Sequence, residues 1–296
     1  MKDFEYQTAG TVDEAVSLLA ARGERARVLT GGTDLIVQLR EGLREADLVV
    51  DVKKIPELMH VEFEPAKGLR LGAAVPCYRI YTDGRISAAY PALVDSARII
   101  GGWQIQSRAS IGGNLCNSSP AADSIPSLIA YDVQCHLAGP QGRRRVRVAE
   151  FCTGPGKNVL GRGEILATLE FPPVEAMASA AYLRFIPRNE MDIAVVGAAS
   201  WVKLNKSGDT IEQARVALAA VAPTPLALTE LSAWLVGKPA TAETFVAAAE
   251  RASAAARPID DKRGTAAYRK HLAGVLTKRT LAIAVERARG KNTATH

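Results

Sequence analysis

The sequence is poor in the side chains that build metal centres and hydrolytic sites. Its 296 residues include four cysteines and four histidines. No two cysteines form a Cys-x-x-Cys pair and no two histidines have the spacing of helical metal ligands, so we expect no metal site in this chain. No serine has a plausible histidine and carboxylate setting for a catalytic triad. We therefore predict no metal-dependent or triad-type hydrolysis.

Long apolar runs are also missing. No run reaches the roughly 20 residues that a transmembrane helix needs. The opening residues Met1–Tyr6 include acidic side chains where a secretion signal would be basic and then apolar. We therefore expect a cytoplasmic protein without a membrane span, in which the cysteines stay reduced.

Composition allows a large core. Hydrophobic residues make up 48% of the chain, which is long enough for two or three modules. The formal charge is +6, from 37 basic and 31 acidic residues. A helix that faces nucleic acid could carry the basic residues near the C-terminus, but no aromatic residues interleave with them, so we favour a solvated helix face or a subunit contact. These residues are Arg263, Arg269, Lys270, Lys278, Arg279, Arg287, Arg289 and Lys291.

The stretch from Ala109 to Asp123, ASIGGNLCNSSPAAD, has a composition that no core requires. We predict a turn with positive φ at its two adjacent glycines, whose N–H groups would form a concave site for a diphosphate. Asn114 and Asn117 add short hydrogen-bonding groups, and Asp123 adds an acceptor for sugar hydroxyls. Ile111 is expected to point inward and hold the segment down.

A second glycine pair lies upstream in Thr30-Gly31-Gly32-Thr33-Asp34, between a short apolar strand and a helix. A strand, a glycine turn and a helix N-terminus together can bind an anion. A single Gly-Gly pair is more often a tight turn, whereas two such segments favour a dinucleotide held from both sides. The later Gly154-Pro155-Gly156-Lys157 lacks the spacing of a Walker loop, so we do not expect a nucleoside triphosphate site.

The order of elements predicts three regions. Residues 1–57 alternate α and β elements, and residues 58–175 mix short strands with helices. Residues 176–296 combine three strands with three helices, which favours an antiparallel sheet packed on a helical bundle.

The two glycine segments, with Ser119-Pro120-Ala121-Ala122-Asp123, resemble the FAD-binding medium subunit of the molybdenum hydroxylases, a family that includes xanthine and carbon monoxide dehydrogenases. Phe151–Lys157, Glu164-Ile165-Leu166 and Tyr182-Leu183-Arg184 follow in the family's order, so the resemblance covers nearly the whole chain. It implies an α+β fold: a two-lobed FAD-binding part of the vanillyl-alcohol-oxidase type, followed by a C-terminal sheet-plus-helices domain.

The resemblance also implies a function. The chain would be an oxidoreductase subunit with noncovalent FAD, and none of its own side chains would be catalytic. A large subunit would hold the molybdenum–pterin cofactor, and a small subunit would hold two [2Fe-2S] clusters. Together they would form a heterotrimer, or a dimer of heterotrimers, that passes electrons to an external acceptor.

The family's cofactor contacts, transferred to matching positions, define the expected site. Gly31, Gly32, Gly112 and Gly113 would hold the diphosphate, and Asp123 would hold ribityl or ribose hydroxyls. The full set is Leu29, Thr30, Gly31, Gly32, Thr33, Asp34, Leu35, Ile100, Gly101, Ala109, Ser110, Ile111, Gly112, Gly113, Asn114, Asn117, Asp123, Ile165, Leu166 and Arg184. Leu29, Leu35, Ile165 and Leu166 could equally be ordinary core residues.

Arg184 departs from the family pattern, which usually has a lysine near the pyrimidine end of the flavin. Arginine keeps the positive charge but offers a planar fork in place of an ammonium group. Covalent flavin attachment would need a histidine or cysteine beside the ring. The four histidines lie away from both glycine segments in sequence, and Cys116 lies on the diphosphate side.

Two other functions stay open from the sequence. One is a self-sufficient flavoenzyme of the same fold, such as a cell-wall precursor reductase or an alcohol oxidase, which would need its own substrate pocket with a proton donor. The other is a non-redox dinucleotide-binding module. The oxidised substrate cannot be predicted, because it would bind to a partner chain.

Overall fold

The computed structural model describes residues 2–188 and 191–294, and the N-terminal elements form a small parallel sheet. These elements are β1 (Glu5–Thr8), α1 (Val12–Arg22), β2 (Ala26–Leu29), α2 (Leu35–Arg40) and β3 (Leu48–Asp51). The strand order of this first sheet is β1-β3-β2. Helix α1 begins where its sequence predicts, because the Thr11 side chain accepts a hydrogen bond from the Glu14 N–H at 3.1 Å.

The central part of the chain forms an antiparallel sheet covered by short helices. Its elements are β4 (Val61–Glu64), β5 (Gly68–Gly72), α3 (Cys77–Tyr81), α4 (Gly84–Ala89), α5 (Pro91–Ala97), α6 (Trp103–Gln106), α7 (Ile111–Asn117), α8 (Ser124–Ala130), β6 (Gln134–Gly139), β7 (Gly142–Arg147), α9 (Val148–Phe151), β8 (Cys152–Gly154), β9 (Lys157–Asn158) and β10 (Ile165–Phe171). The strand order of this second sheet is β4-β5-β10-β6-β7. Strands β8 and β9 form a separate hairpin. Leu69, Leu93, Leu128 and Phe171 are fully buried in the core that joins the sheet to the helices.

The C-terminal part forms a second antiparallel sheet backed by long helices. Its elements are β11 (Ala178–Phe185), β12 (Val196–Leu204), β13 (Ile211–Ala219), β14 (Leu226–Ala227), α10 (Thr229–Leu235), α11 (Ala242–Ala255) and α12 (Ala266–Ala288). The strand order of this third sheet is β11-β12-β13-β14.

Both faces of the third sheet are buried. Ala181 and Val202 lie on the face that packs on the C-terminal helices. Ala180, Tyr182 and Trp201 belong to the core of the central part. Because side chains alternate along a strand, Tyr182 and Arg184 lie on this second face. The third sheet therefore packs β11 against α5 and α8, and α8 packs in turn on α7, which carries the second glycine pair.

Helix α12 differs from the solvated basic helix that the sequence suggests. Arg269 is only 4% exposed, and the Arg287 side chain is 11% exposed. Arg269 donates to the Val195 carbonyl, just before β12, and Arg287 donates to the Ala180 carbonyl in β11. The solvated-face interpretation is therefore wrong for these two residues. Among the described helices, none is both long enough and apolar enough to cross a membrane.

Candidate functional site

A cleft of about 260 Å³ lies where the two glycine segments meet. Thr30–Asp34 follows strand β2, and the second glycine pair opens helix α7. The structure thus brings together two segments that are far apart in the sequence. The expected site residues that line the cleft are Thr30, Gly31, Gly32, Thr33, Asp34, Leu35, Ile100, Ala109, Ser110, Gly112, Gly113, Asn114, Asn117, Ile165 and Leu166.

The first glycine segment packs directly against the backbone that leads into α7. A Cβ atom added to Gly31 would lie 2.7 Å from the Arg108 carbonyl carbon and 2.9 Å from the Ala109 nitrogen. The Arg108 Nε donates to the Gly31 carbonyl at 3.0 Å, which fixes the same approach. Gly32 has a φ of +78°, a conformation that glycine adopts without strain.

The second glycine pair is helical, so the predicted positive-φ turn is wrong here. Gly112 and Gly113 form the first turn of α7, and the Ser110 hydroxyl caps this helix by accepting from the Gly113 N–H at 3.0 Å. Glycine is required for close packing instead: a Cβ on Gly112 would lie 2.6 Å from the Ala73 Cβ. A Cβ on Gly113 would lie 2.8 Å from the Thr30 hydroxyl, so this residue abuts the first segment.

Asn117 bridges the two segments at the other end of α7. Its Nδ2 donates to Asp34 Oδ1 at 3.2 Å, and its Oδ1 accepts from Gln38 Nε2 at 2.9 Å. Asp34 is partly buried, and this burial raises its pKa. The amide of Asn117 thus connects α7 to the start and the middle of α2.

Replacing Asn117 by alanine is expected to weaken binding of the FAD that the resemblance implies, because it loosens the junction between the two glycine segments. The two lost hydrogen bonds contribute about 1–3 kcal/mol together. If this free energy serves only to hold the segments in the binding geometry, the FAD dissociation constant rises about five- to a hundredfold. Titration of the FAD-free protein with FAD measures the change, and Asn205→Ala, in a surface turn of the C-terminal part, is the control. An unchanged dissociation constant would show that the bridge is irrelevant to binding.

The cleft offers unsatisfied hydrogen-bond donors. Within residues 2–188 and 191–294, the backbone N–H groups of Gly32, Thr33 and Gly112 donate to no protein acceptor. The Arg27 Nε is buried and also has no partner among these residues. Buried donors normally have acceptors, so the Gly112 N–H and the Arg27 Nε, which are buried, fit an anionic ligand.

Two arginines that the sequence analysis missed also line the cleft. Arg27 precedes the first glycine segment on β2, and Arg44 lies in the loop between α2 and β3. Burial lowers the pKa of Arg27, and the nearby charge of Arg44 adds to the effect. The further missed residues are Ala26, Val28, Gln38, Leu58, Ala73, Cys116, Asn158, Leu160 and Glu164.

Three expected contacts, Leu29, Gly101 and Ile111, do not line the cleft. Leu29 packs with Leu39 in a small buried cluster, and Ile111 belongs to the central core. Gly101 has a φ of +61° and lies against the Ile105 side chain. Leu29 is buried, as the alternative of an ordinary core residue predicts, and the burial of Ile111 agrees with its expected inward orientation.

Asp123 and Arg184 also lie outside the cleft lining, and they bind each other. Arg184 Nη1 lies 2.8 Å from Asp123 Oδ2, and the Tyr182 hydroxyl donates to Asp123 Oδ1 at 2.9 Å. Both charged side chains are nearly inaccessible to solvent. Burial raises the pKa of Asp123 from 3.8 to about 6, although Arg184 and Tyr182 oppose the shift. Asp123 thus links the start of α8 to the third sheet.

The raised pKa of Asp123 predicts a pH-dependent stability. Between about pH 4 and pH 6 the folded protein holds a proton that the unfolded chain releases, so stability falls as pH rises, by up to about 3 kcal/mol. Denaturant unfolding across this range should show the slope in the wild type. In Asp123→Asn the contribution of this residue should disappear; equal pH profiles of the two proteins would contradict the assignment.

Two family models match successive parts of the chain and together cover nearly its whole length. Residues 2–174 match the FAD binding domain in molybdopterin dehydrogenase, and residues 181–284 match the CO dehydrogenase flavoprotein C-terminal domain. The chain is 32% identical over 293 residues to a putative xanthine dehydrogenase FAD-binding subunit of Escherichia coli (strain K12), which covers 98% of this chain and 99% of the relative.

Solved structures show the same similarity. Carbon monoxide dehydrogenase from Hydrogenophaga pseudoflava, in a form that lacks the Mo-pyranopterin moiety of its molybdenum cofactor, superimposes with a TM-score of 0.91 at 32% identity, covering 97% of this chain and 98% of that chain. Quinoline 2-oxidoreductase from Pseudomonas putida 86 superimposes with a TM-score of 0.89 at 26% identity, covering 97% and 99%. These matches confirm the expected fold class.

Proposed function

We propose, from the premise that this chain belongs to the FAD-binding medium subunits of the molybdenum hydroxylases, that the cleft between Thr30–Asp34 and α7 is its FAD site. The chain is the FAD-carrying subunit of a heteromeric oxidoreductase. The observation that carries the site is that two glycine segments meet around backbone N–H groups for which the described part of the chain has no acceptor.

The partners are a large subunit with the molybdenum–pterin cofactor and a small subunit with [2Fe-2S] clusters. We propose two clusters in that small subunit, as the family resemblance implies. When bound, FAD takes electrons from these clusters and gives them to an external acceptor. This chain's own residues bind and orient the cofactor, and none of them needs to act as an acid or a base. The stand-alone flavoenzyme and the non-redox binding module are not favoured, because the chain matches medium subunits over nearly its entire length.

We propose that different groups of residues at the cleft bind different parts of the cofactor. Gly31, Gly32, Gly112 and Gly113 would approach the diphosphate through the backbone that they contribute to the lining of the cleft. Thr30, Thr33, Asp34, Ala109, Ser110, Asn114 and Asn117 would contribute the polar and small surface around it, and Leu35, Ile100, Ile165 and Leu166 the apolar walls. Leu29, Gly101 and Ile111 would support these residues from beneath.

Asp123 and Arg184 would act at the edge of this site. Their mutual ion pair occupies one carboxylate oxygen, and Tyr182 occupies the other. A carboxylate oxygen can accept more than one hydrogen bond, so Asp123 keeps capacity for a ribityl or ribose hydroxyl.

We propose that the FAD is held without a covalent bond. Cys116 lines the cleft, but burial raises the pKa of its thiol to about 12, so the nucleophilic thiolate is scarce at neutral pH. None of the described histidines, His60, His136 and His271, lines the cleft, and His296 lies outside the described residues.

We also propose a cytoplasmic location and the three-part division at 57/58 and 175/176. The four cysteines are free thiols, which suits a reducing compartment. Each proposed part contains its own main sheet, in the order parallel, antiparallel, antiparallel.

The test is to purify the chain alone and with its co-expressed partners. We expect the chain to bind FAD, to release it intact on denaturation, and to show flavin reduction only when the partner subunits and their substrate are present. A purified chain with no affinity for FAD would refute the FAD site. Flavin reduction by a substrate without partner subunits would favour the stand-alone flavoenzyme.

A further inference from the structure

A second buried ion pair connects the third sheet to the central helices. Arg287 on α12 donates to Asp95 on α5 from both terminal guanidinium nitrogens, from Nη1 to Oδ2 at 2.7 Å and from Nη2 to Oδ1 at 3.1 Å. The side chains are 11% and 9% exposed. This two-point geometry orients both groups and belongs to the stronger class of charged hydrogen bonds.

The pair also binds the backbone of strand β11. Asp95 Oδ2 accepts from the Tyr182 N–H at 3.1 Å, and Arg287 Nη1 donates to the Ala180 carbonyl at 2.9 Å. Strand β11 is an edge strand, since β12 is its sole neighbour in the described sheet. Buried backbone groups on a free edge need partners, and Asp95 and Arg287 supply them for these two residues.

The contacts continue from β11 to the cleft. The Tyr182 hydroxyl donates to Asp123, which immediately precedes α8. The next residue, Ser124, donates its hydroxyl to Asn114 Oδ1 at 2.6 Å, and Asn114 lines the cleft beside the second glycine pair. A series of hydrogen bonds, joined through the Tyr182 residue and the Asp123–Ser124 peptide bond, therefore runs from the end of α12 to the wall of the cleft.

We propose that Asp95 and Arg287 are positioning residues for the cofactor: they fix the edge of β11 and thereby hold Tyr182 against Asp123 and the wall of the FAD cleft. The inference rests on the proposed FAD site. It assigns a role in binding to two residues that lie outside the cleft, and it makes helix α12 of the C-terminal part necessary for tight FAD binding.

The experiment compares two changes at the pair with one matched control, all in the full chain. Arg287→Gln removes one charge. The double variant Asp95→Leu/Arg287→Met removes both charges, so no charge is left buried alone, while the edge of β11 still loses its partners. The control is Arg289→Gln, because Arg289 lies two residues further on and binds the Gly208 and Ala240 carbonyls within the C-terminal part.

We expect the FAD dissociation constant to rise about tenfold or more in both pair variants. The flavin that stays bound in these variants should show an altered visible circular dichroism spectrum. In the control, the dissociation constant should stay within about twofold of the wild-type value. If Arg287→Gln does not fold, the double variant decides. A double variant that folds and binds FAD with wild-type affinity and spectrum would overturn the proposal, because a merely structural pair would give this result.

Asp95→Asn provides a rescue, because its side-chain oxygen can still accept from the Tyr182 N–H. It should bind FAD more tightly than the double variant; equal weakening of the two would also count against the strand-edge mechanism. Failure of the wild type itself to bind FAD would instead refute the proposed function, so the two failures are distinguishable.

Discussion

A valine at Gly112 is expected to abolish FAD retention while the purified protein stays folded. The added Cβ would lie 2.6 Å from the Ala73 Cβ and 2.7 Å from its Cα, where no flexible side chain can move aside. Overpacking of this kind costs about 1–3 kcal/mol. Separation of α7 from Ala73 would relieve it and would change the cleft, because Ala73 and Gly112 both line it. We expect the FAD dissociation constant to rise at least about a hundredfold, measured by titration of the FAD-free protein and by the flavin absorbance of the purified protein.

Gly84→Ala is the matched control for this experiment. Gly84 also lies at the start of a short helix, but no atom lies within 4 Å of its ideal Cβ position. Alanine there should leave FAD content unchanged and stabilise the helix slightly. A Gly112→Val protein that is yellow and fully loaded would show that the contact between α7 and Ala73 does not set the geometry of the site.

The sequence indicates which segments form the cleft, but it does not indicate why glycine is required in them. Both glycine pairs line the same cleft, as their composition indicated. However, the prediction assumed bare backbone for a ligand, whereas Gly31 and Gly112 are needed because protein backbone lies against them. Local composition reports that a side chain is excluded at a position. It does not report whether the neighbour is a ligand or another segment of the chain.

The contacts of the C-terminal part could not be predicted from local patterns. The resemblance indicates both Asp123 and Arg184, but as separate ligands of the cofactor, whereas their ion pair depends on how β11 packs against α8. The basic residues near the C-terminus were expected to be solvated, because charge counts carry no information on the face that a helix presents. Arg287 is buried since the third sheet is covered on both faces. In each case long-range packing decided the environment of the charge.

Replacing Arg184 by leucine is expected to have the second large effect. It would leave the Asp123 carboxylate buried with only the Tyr182 hydroxyl as a side-chain partner. Removing one member of a buried ion pair costs about 3–5 kcal/mol, a large share of the stability of a typical domain. Protonation of Asp123 would relieve part of this loss, so the variant should lose less stability at pH 5 than at pH 8. Denaturant unfolding at the two pH values measures both effects.

Arg184→Lys separates the charge from the shape of the arginine. Lysine keeps a cation beside Asp123 but cannot reproduce the planar fork, one nitrogen of which also reaches the Asp192 carbonyl at 3.4 Å. We expect this variant to recover most of the stability lost in Arg184→Leu, because the unpaired buried carboxylate is the dominant penalty. The surface pair of Arg85 and Asp83 is the control, since exposed pairs contribute at most about 1 kcal/mol. If Arg184→Leu proved no more damaging than Arg85→Leu, Arg184 would not be the residue that stabilises the charge of Asp123.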